Sequence, residues 1–429
     1  MSIADTLPQK QVFYDAIRKD FYIENSRGGW ITVAQQNLKL HLRAAGISER
    51  VERGEQLSPM EKRMVEIQTE YDVAYAGPLA GYKSGMVEQY GNRILVTVSP
   101  AFIKAHPGDC SMVLQLIRNL FDDEQVEQSP YVLGWLKIAV ESLYSGNFRP
   151  GQALAIAGAR GCGKSLLQNI ITEILGGRSA KPYQYMIGLT PFNGELFGAE
   201  HLMVEDEAAS TDGRNRRNFG SHIKTVCVNE TQKCHGKRKD GITLKPFWRL
   251  SITLNDEPEN LMILPELDES LVDKVMLLRA HKREMPMPTN TMEQRAAFMA
   301  KIRSELPAFI HYLNEWQIPE GLKSERFGIT HYHHPELLES LDTLAPETKL
   351  LNIIDAHLFS DPPHSAWHGT AEDLENQLRQ SKFSYEVSTL CKWQGATGSH
   401  LAKLASKYPS RFEQKRTNQK RLWTIKAGS

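Results

Sequence analysis

The run Gly158-Ala159-Arg160-Gly161-Cys162-Gly163-Lys164-Ser165 decides how the chain reads. It follows Gln152 to Ala157, an apolar stretch that predicts a buried strand, and precedes Leu166 to Leu175, which predicts a helix. Strand, glycine-rich turn, Lys-Ser and helix together form a phosphate-binding loop, because the glycines let backbone N–H groups close around an anion at the positive end of the helix. Gly158 to Leu166 are therefore the expected nucleotide contacts. Lys164 is expected to reach the β- and γ-phosphates of ATP, and the Ser165 hydroxyl to hold Mg²⁺.

The chain has 429 residues, long for one hydrophobic core, so two or three domains are expected. Charged residues make up 24% and hydrophobic ones 41%, a globular rather than a disordered mix. The formal net charge is zero, which argues against a uniformly basic nucleic-acid binder but permits local basic patches. Five cysteines (Cys110, Cys162, Cys227, Cys234 and Cys391) are scattered without a CxxC pair, as reduced structural thiols are. No apolar run of about eighteen residues occurs and the start lacks a signal pattern, so a soluble, cytoplasmic protein with no membrane partner is expected.

Outward from the loop, residues 146–285 alternate short apolar strands with helices, the pattern of an α/β domain. Residues 1–145 read as a helix-rich scaffold or oligomerisation domain, with Gln9 to Asp20 as an amphipathic helix and Phe21 to Val33 as a hairpin. Residues 286–359 read as a helical lid region and 360–369 as a linker.

Two further elements complete a nucleotide site. His201-Leu-Met-Val-Glu-Asp206-Glu207 is an apolar strand ending in acids. Asp206 is placed to support Mg²⁺ and Glu207 to polarise the attacking water, with Glu205 as substitute if the register shifts by one. Arg249 to Asn255 is a strand ending on a carboxamide, and Asn255 is suited to holding that water and sensing the γ-phosphate. Lys-Ser, Asp-Glu and Asn follow one another at successive strand ends, the order of an ATPase.

Between the second and third elements, Ile223 to Val228 and Ile242 to Trp248 read as arms of a hairpin turning at Asp240-Gly241. Its tip is cationic: His235, Lys237, Arg238 and Lys239, a composition suited to gripping a phosphate backbone without reading sequence.

In this order the motifs resemble those of the superfamily III helicases, a branch of the AAA+ ATPases found in small DNA viruses, phages, plasmids and integrated mobile elements. Gly158 to Ser165, Leu202 to Glu207, Lys224 to Lys239 and Arg249 to Asn255 carry the resemblance. Phe192-Asn193, Pro246 to Asp256 and Asp273 to Leu278 resemble, more closely, the helicase portion of phage and plasmid primase-helicases. The resemblance implies a DNA helicase that hydrolyses ATP in replication. It also implies a hexameric ring threading single-stranded DNA, with the basic hairpins in its pore and ATP sites at subunit boundaries. A cation from the neighbouring subunit would complete each site as an arginine finger does. Relatives tend to place Arg after the Asn strand where this chain has Lys274; Arg279, Arg214, Arg216 and Arg217 are the alternatives to it. No acidic or zinc-binding set of a primase module is found in residues 1–145, so a primase would come from another polypeptide. The alternative reading is a remodelling, loading or defence ATPase that binds DNA without unwinding it.

Residues 370–429 read as three helices and a two-stranded wing, a winged helix. From Ser381 onward ten lysines and arginines face only Glu386 and Glu413, a net of +8. Its third helix (Ser399, His400, Lys403, Lys407) would approach duplex DNA in the major groove, with Lys415, Arg416, Lys420 and Arg421 along phosphates. His331, His333, His334 and Glu336 suggest metal ligands, but no second cluster completes a site and an ordinary surface loop is expected. The expected fold is thus α/β: an AAA+ P-loop core with a helical N-terminal domain and a C-terminal winged helix.

Overall fold

Ala153 to Gly158 carries no polar side chain and every residue in it is buried, as a strand covered on both faces requires. In the computed structural model it is β1 of a five-stranded parallel sheet. The others are β2 (Ser179–Ala180), β3 (His201–Glu205), β4 (Arg249–Leu254) and β5 (Val275–Ala280), in spatial order β5-β1-β4-β3-β2. The structure describes residues 11–205, 213–236, 241–360, 365–416 and 420–428. The chain divides into two units, Met1–Asp256 with Ile263–His334, and Glu257–Met262 with Pro335–Ser429.

Register decides which residues share a face. Ser251 pairs with Leu154 and Thr253 with Ile156, and this face packs against the helices Lys164–Ile174, Ser111–Phe121, Ser129–Ser145 and Met292–Glu315. Two buried ionic groups lock the last three helices together. Glu305 accepts the Met112 and Val113 N–H groups at 3.0 and 3.2 Å, capping the first turn of Ser111–Phe121 from another helix. Lys137 donates to the Leu313 and Asn314 carbonyls, both at 3.0 Å, at the negative end of Met292–Glu315.

The outer edge of β5 is closed as well. Leu277 exchanges backbone hydrogen bonds with Tyr332 and His334, and the Gln128 carboxamide takes both backbone groups of Arg279. A strand edge left open would template association. The histidine stretch is therefore not a surface loop: His334 is buried and His333 Nε2 lies 2.9 Å from the Val275 carbonyl. Among the described residues no group of three His, Cys, Asp or Glu side chains is gathered for a metal.

The N-terminal region departs from the helical expectation. Val12–Asp15, Asp20–Glu24 and Trp30–Val33 form an antiparallel meander, with Asp72–Val73 alongside, and Tyr75–Gly77, Asn92–Val96 and Gly85–Gln89 form a second sheet. The predicted helix over Gln9–Asp20 is a hairpin in its described part. Val12 and Phe13 enter different apolar clusters on opposite faces, while Ala16 and Ile17 occupy an exposed turn. Asp15 sets that turn, its Oδ1 accepting the Ile17 and Arg18 N–H groups at 3.0 and 2.8 Å. The Phe21–Val33 hairpin forms as its Gly-Gly turn suggests, and Ser111–Phe121 and Ser129–Ser145 are helices.

In the second unit, Arg421–Lys426 pairs antiparallel with both Ala366–Gly369 and Phe412–Arg416. Ala366–Gly369 is thus a strand rather than linker. The helices Pro346–Leu358, Ala371–Arg379, Ser384–Leu390 and Ala396–Lys407 share its core, which includes Leu350, Ile354, Leu374, Leu401 and Trp423. No described helix in either unit is long and apolar enough to cross a membrane.

One ion pair fastens the N-terminal sheets to the edge of the parallel sheet. Glu200, fully buried, takes Arg178 on both carboxylate oxygens and accepts the Gly81 N–H at 2.8 Å. Arg178 also donates to the Val98 and Leu79 carbonyls at 2.9 and 3.2 Å. Removing one member of such a pair strands the other, so Glu200→Ala is expected to lower the unfolding free energy by about 3–5 kcal/mol in urea titrations. Glu200→Gln, which keeps an acceptor for Gly81, is expected to lose less.

Candidate nucleotide site

Because all five strands run the same way, their carboxyl ends meet at one edge, the place where open α/β sheets bind ligands. Gly158 leaves β1 there, packed so closely that a side chain at this position would lie 2.3 Å from the Ala280 carbonyl oxygen. Gly161 and Gly163 adopt φ of 76° and 112°, left-handed values that side chains disfavour, and turn the loop so that its amides converge. Ala159, Arg160 and Gly161 are exposed, Cys162 is buried and Leu166 is half-buried.

Lys164 opens the helix Lys164–Ile174 and is buried. Its ammonium donates to the Gly158 and Ala159 carbonyls at 2.6 and 3.1 Å and to Asn255 Oδ1 at 3.3 Å. The loop lysine and the strand-end carboxamide, 91 residues apart, are thus in direct contact. Ser165 is exposed beside them. A converging amide loop, an ammonium and a free hydroxyl are the donors a triphosphate with Mg²⁺ requires, so these residues fit both. Asp206 and Glu207 lie outside the described residues. Glu205, the last residue of β3, is paired with Lys181 at 3.2 Å.

Lys274 is at the other edge of the sheet. It precedes β5, and is buried with its ammonium on Asp273 Oδ1 at 2.7 Å. Six residues of β5 separate the two edges, about 20 Å. Arg279 lies near the loop end of β5, in register with Ala157. Arg216 donates to the Leu264 carbonyl at 2.9 Å, while Arg214 and Arg217 are exposed on the helix Gly213–Val228.

Sequence reading missed a buried polar network joining the loop helix to β3 and β4. Gln168 Nε2 donates to Ser251 Oγ at 2.8 Å, and Thr253 Oγ1 donates to Gln168 Oε1 at 3.2 Å. His201 reaches Ser251 Oγ through Nε2 at 2.8 Å and Thr172 Oγ1 through Nδ1 at 2.7 Å, and Thr172 bonds the Gln168 carbonyl. The donors and acceptors balance with a neutral, Nδ1-protonated imidazole: Ser251 donates to Nε2, and Thr172 accepts from Nδ1. Burial pushes the His201 pKa down to about 3. The signal in the sequence is the polar alternation in His201, Ser251 and Thr253 within otherwise apolar strands.

The basic hairpin forms with shorter arms than expected. Gln232–Cys234 pairs antiparallel with Ile242–Leu244, whereas Ile223 to Val228, read as an arm, is the end of the helix Gly213–Val228. That stretch buries Ile223, Val226 and Cys227 at helical spacing, which a short apolar run does not distinguish from a strand. His235 is half-buried just beyond the Cys234–Ile242 pair, where the turn begins; Lys237, Arg238 and Lys239 lie outside the described residues.

In the second unit the cations of the helix Ala396–Lys407 are paired with carboxylates. Lys403 lies 3.5 Å from Glu347, Lys407 is paired with Asp342, and His400 is buried against Trp393. Lys415 and Arg416 on one strand, and Lys420 and Arg421 leading into the other, are exposed.

Residues 156–270 match a family of unknown function (DUF5906). No curated protein matches the sequence. Two structures of the NrS-1 C-terminal region align over 97% of this chain and 96% of theirs, with TM-scores of 0.54 and identities of 15% and 14%. At that identity the likeness is one of fold. A JCV helicase with a bound phenoxyphenyl acetamide aligns over 54% of this chain and 59% of that one, at 12% identity and a TM-score of 0.28. The chain is thus a mixed α/β protein with a parallel sheet, folded like the NrS-1 region along nearly its whole length.

The His201 network has a pH signature. Its folded pKa lies far below the value near 6.5 of an unfolded histidine, so the unfolded chain binds the extra proton first. Stability is therefore lost as pH falls from about 6.5 towards 3, with a slope approaching about 1.4 kcal/mol per unit from this residue. His201→Gln is expected to flatten the slope relative to the native chain in denaturant titrations between pH 4 and 6.5.

Proposed function

We propose that the chain is an ATP-dependent DNA helicase with an AAA+ P-loop core and a C-terminal winged helix. In this reading it acts as a homo-oligomeric, hexameric ring in phage, plasmid or mobile-element replication. The observation that carries the reading is the contact between Lys164 and Asn255 at the carboxyl edge of the sheet. It joins the phosphate-binding lysine to a strand-end carboxamide, with the acid-bearing β3 beside β4. The basic hairpin between β3 and β4 supports DNA as the polymer moved, and the strand order β5-β1-β4-β3-β2 supports the AAA+ assignment.

The residues divide the work as follows. The amides of Gly161 to Lys164 and the Lys164 ammonium would hold the β- and γ-phosphates and offset charge that builds on them during transfer. Asn255 both donates and accepts, so its carboxamide would orient the attacking water, and Glu207 would take that water's proton. Ser165 and Asp206 would hold Mg²⁺, which when bound spreads the negative charge of the phosphate oxygens. For the cation supplied by a neighbouring subunit we favour the exposed Arg217 over Lys274, whose ammonium is enclosed and taken up by Asp273. For duplex DNA we favour the exposed cations Lys415, Arg416 and Arg421 over the third helix, whose Lys403 and Lys407 are paired with carboxylates. The primase would be a separate partner.

Single-stranded DNA is expected to stimulate ATP hydrolysis. Lys164→Ala should reduce kcat by roughly 10²–10³-fold and abolish strand displacement. Neutralising Lys237, Arg238 and Lys239 together should remove the DNA stimulation and leave basal hydrolysis. Strand displacement that survived Lys164→Ala would overturn the proposal, and hydrolysis indifferent to DNA would favour a remodelling or loading ATPase.

A further inference from the structure

The basic hairpin has a structural problem. Three residue pairs join its arms, and an isolated two-stranded ribbon that short is marginal in water. Gln232, Cys234 and Leu244 are buried, but the end of the ladder nearest the turn borders a cleft of about 540 Å³ lined by Arg18, Tyr75, Phe192, Cys234, His235 and Ile242. At that end the first arm needs a further contact to fix where it leads into the cationic run.

Asn193 is so placed. It is 2% exposed, and its carboxamide grips the first arm twice. Nδ2 donates to the Lys233 carbonyl at 2.9 Å, and Oδ1 accepts the His235 N–H at 2.7 Å. The backbone adds two more bonds, with the Asn193 and Gly194 N–H groups donating to the His235 carbonyl at 3.1 and 3.2 Å. Gly194 lies alongside, where a side chain would meet Gly236 Cα at 3.4 Å, an ordinary contact distance. The same segment opens the short helix Gly194–Gly198, which leads into β3, the strand before Asp206. Asn193 therefore stands between the turn-side end of the hairpin's first arm and the strand that ends at the nucleotide edge.

We propose that Asn193 is a positioning residue for the basic hairpin: its carboxamide fixes the first arm at Lys233 and His235, from which the sequence continues into the cationic run that engages a nucleic-acid strand. This rests on the reading of the hairpin as the element that engages DNA. Asn193 touches neither nucleotide nor DNA in this role, and acts through Lys233 and His235.

The test uses the full chain, a single-stranded deoxythymidine oligomer as probe, and two variants. Asn193→Ala removes both side-chain bonds; Asn193→Asp keeps the acceptor for the His235 N–H and loses the donor to Lys233. For Asn193→Ala, basal ATP hydrolysis should stay within about twofold. The DNA concentration giving half-maximal stimulation should rise about tenfold, as expected for two hydrogen bonds of ordinary net strength. Amide exchange across 229–246 should quicken, and Asn193→Asp should fall between native and Ala. Unchanged DNA stimulation and exchange in Asn193→Ala would overturn the proposal. So would a basal rate that falls together with the melting temperature in both variants, since that marks a structural residue alone. If the native chain's hydrolysis ignores DNA, the helicase reading fails, and the exchange comparison still decides whether Asn193 holds the hairpin.

Discussion

The parallel run of five strands is the constraint from which the rest follows. A parallel sheet needs a crossover after each strand, and every crossover returns the chain to the same starting edge. The carboxyl edge therefore collects whatever polar residues end the strands, however far apart they are in sequence. Lys164 after β1 and Asn255 after β4 meet for this reason. Lys274, which precedes its strand, is carried to the opposite edge for the same reason.

Such a sheet must be covered on both faces, and its outermost strand must not be left open. The network of Gln168, Thr172, His201, Ser251 and Thr253 is the less usual part of that cover. Polar side chains inside a sheet cost free energy unless every donor and acceptor is matched, and here a single protonation state of His201 lets them match. The network then ties the helix that begins at Lys164 to the two strands that end at Glu205 and Leu254. A shift of that helix cannot occur independently of those strands without breaking buried hydrogen bonds. This gives the loop and the two strand ends a common rigid support.

Much of this was legible in the sequence, and the parts that were not share a cause. The loop, its flanking strand and helix, the C-terminal helices and the hairpin Phe412–Arg416 with Arg421–Lys426 carry signals that are local: glycine at left-handed positions, apolar periodicity, a turn between strands. Local signals fail where two periods fit a short run. Val12, Phe13, Ala16 and Ile17 satisfy helical spacing, yet Asp15 turns the chain between them. Ile223 to Val228 reads equally well as strand or helix, and its packing decides for helix. Residues that matter through distant partners leave still less trace. Nothing in the neighbours of Lys403 announces Glu347, and nothing near Asn193 announces the hairpin arm it holds.

The clamp between Glu305 and the start of Ser111–Phe121 bears on the order in which the chain can fold. That contact joins residues 193 apart, and the cover on β5 waits for Tyr332 to His334. A nascent chain that has released all five strands still lacks both. Until roughly three quarters of these 429 residues have emerged, β5 presents unpaired backbone groups and the face under Met292–Glu315 is bare. Long-range closure of this kind is slow and exposes sticky surface during the wait. The first unit is thus completed late in synthesis, and chains truncated before residue 334 would be candidates for chaperone capture rather than for independent folding.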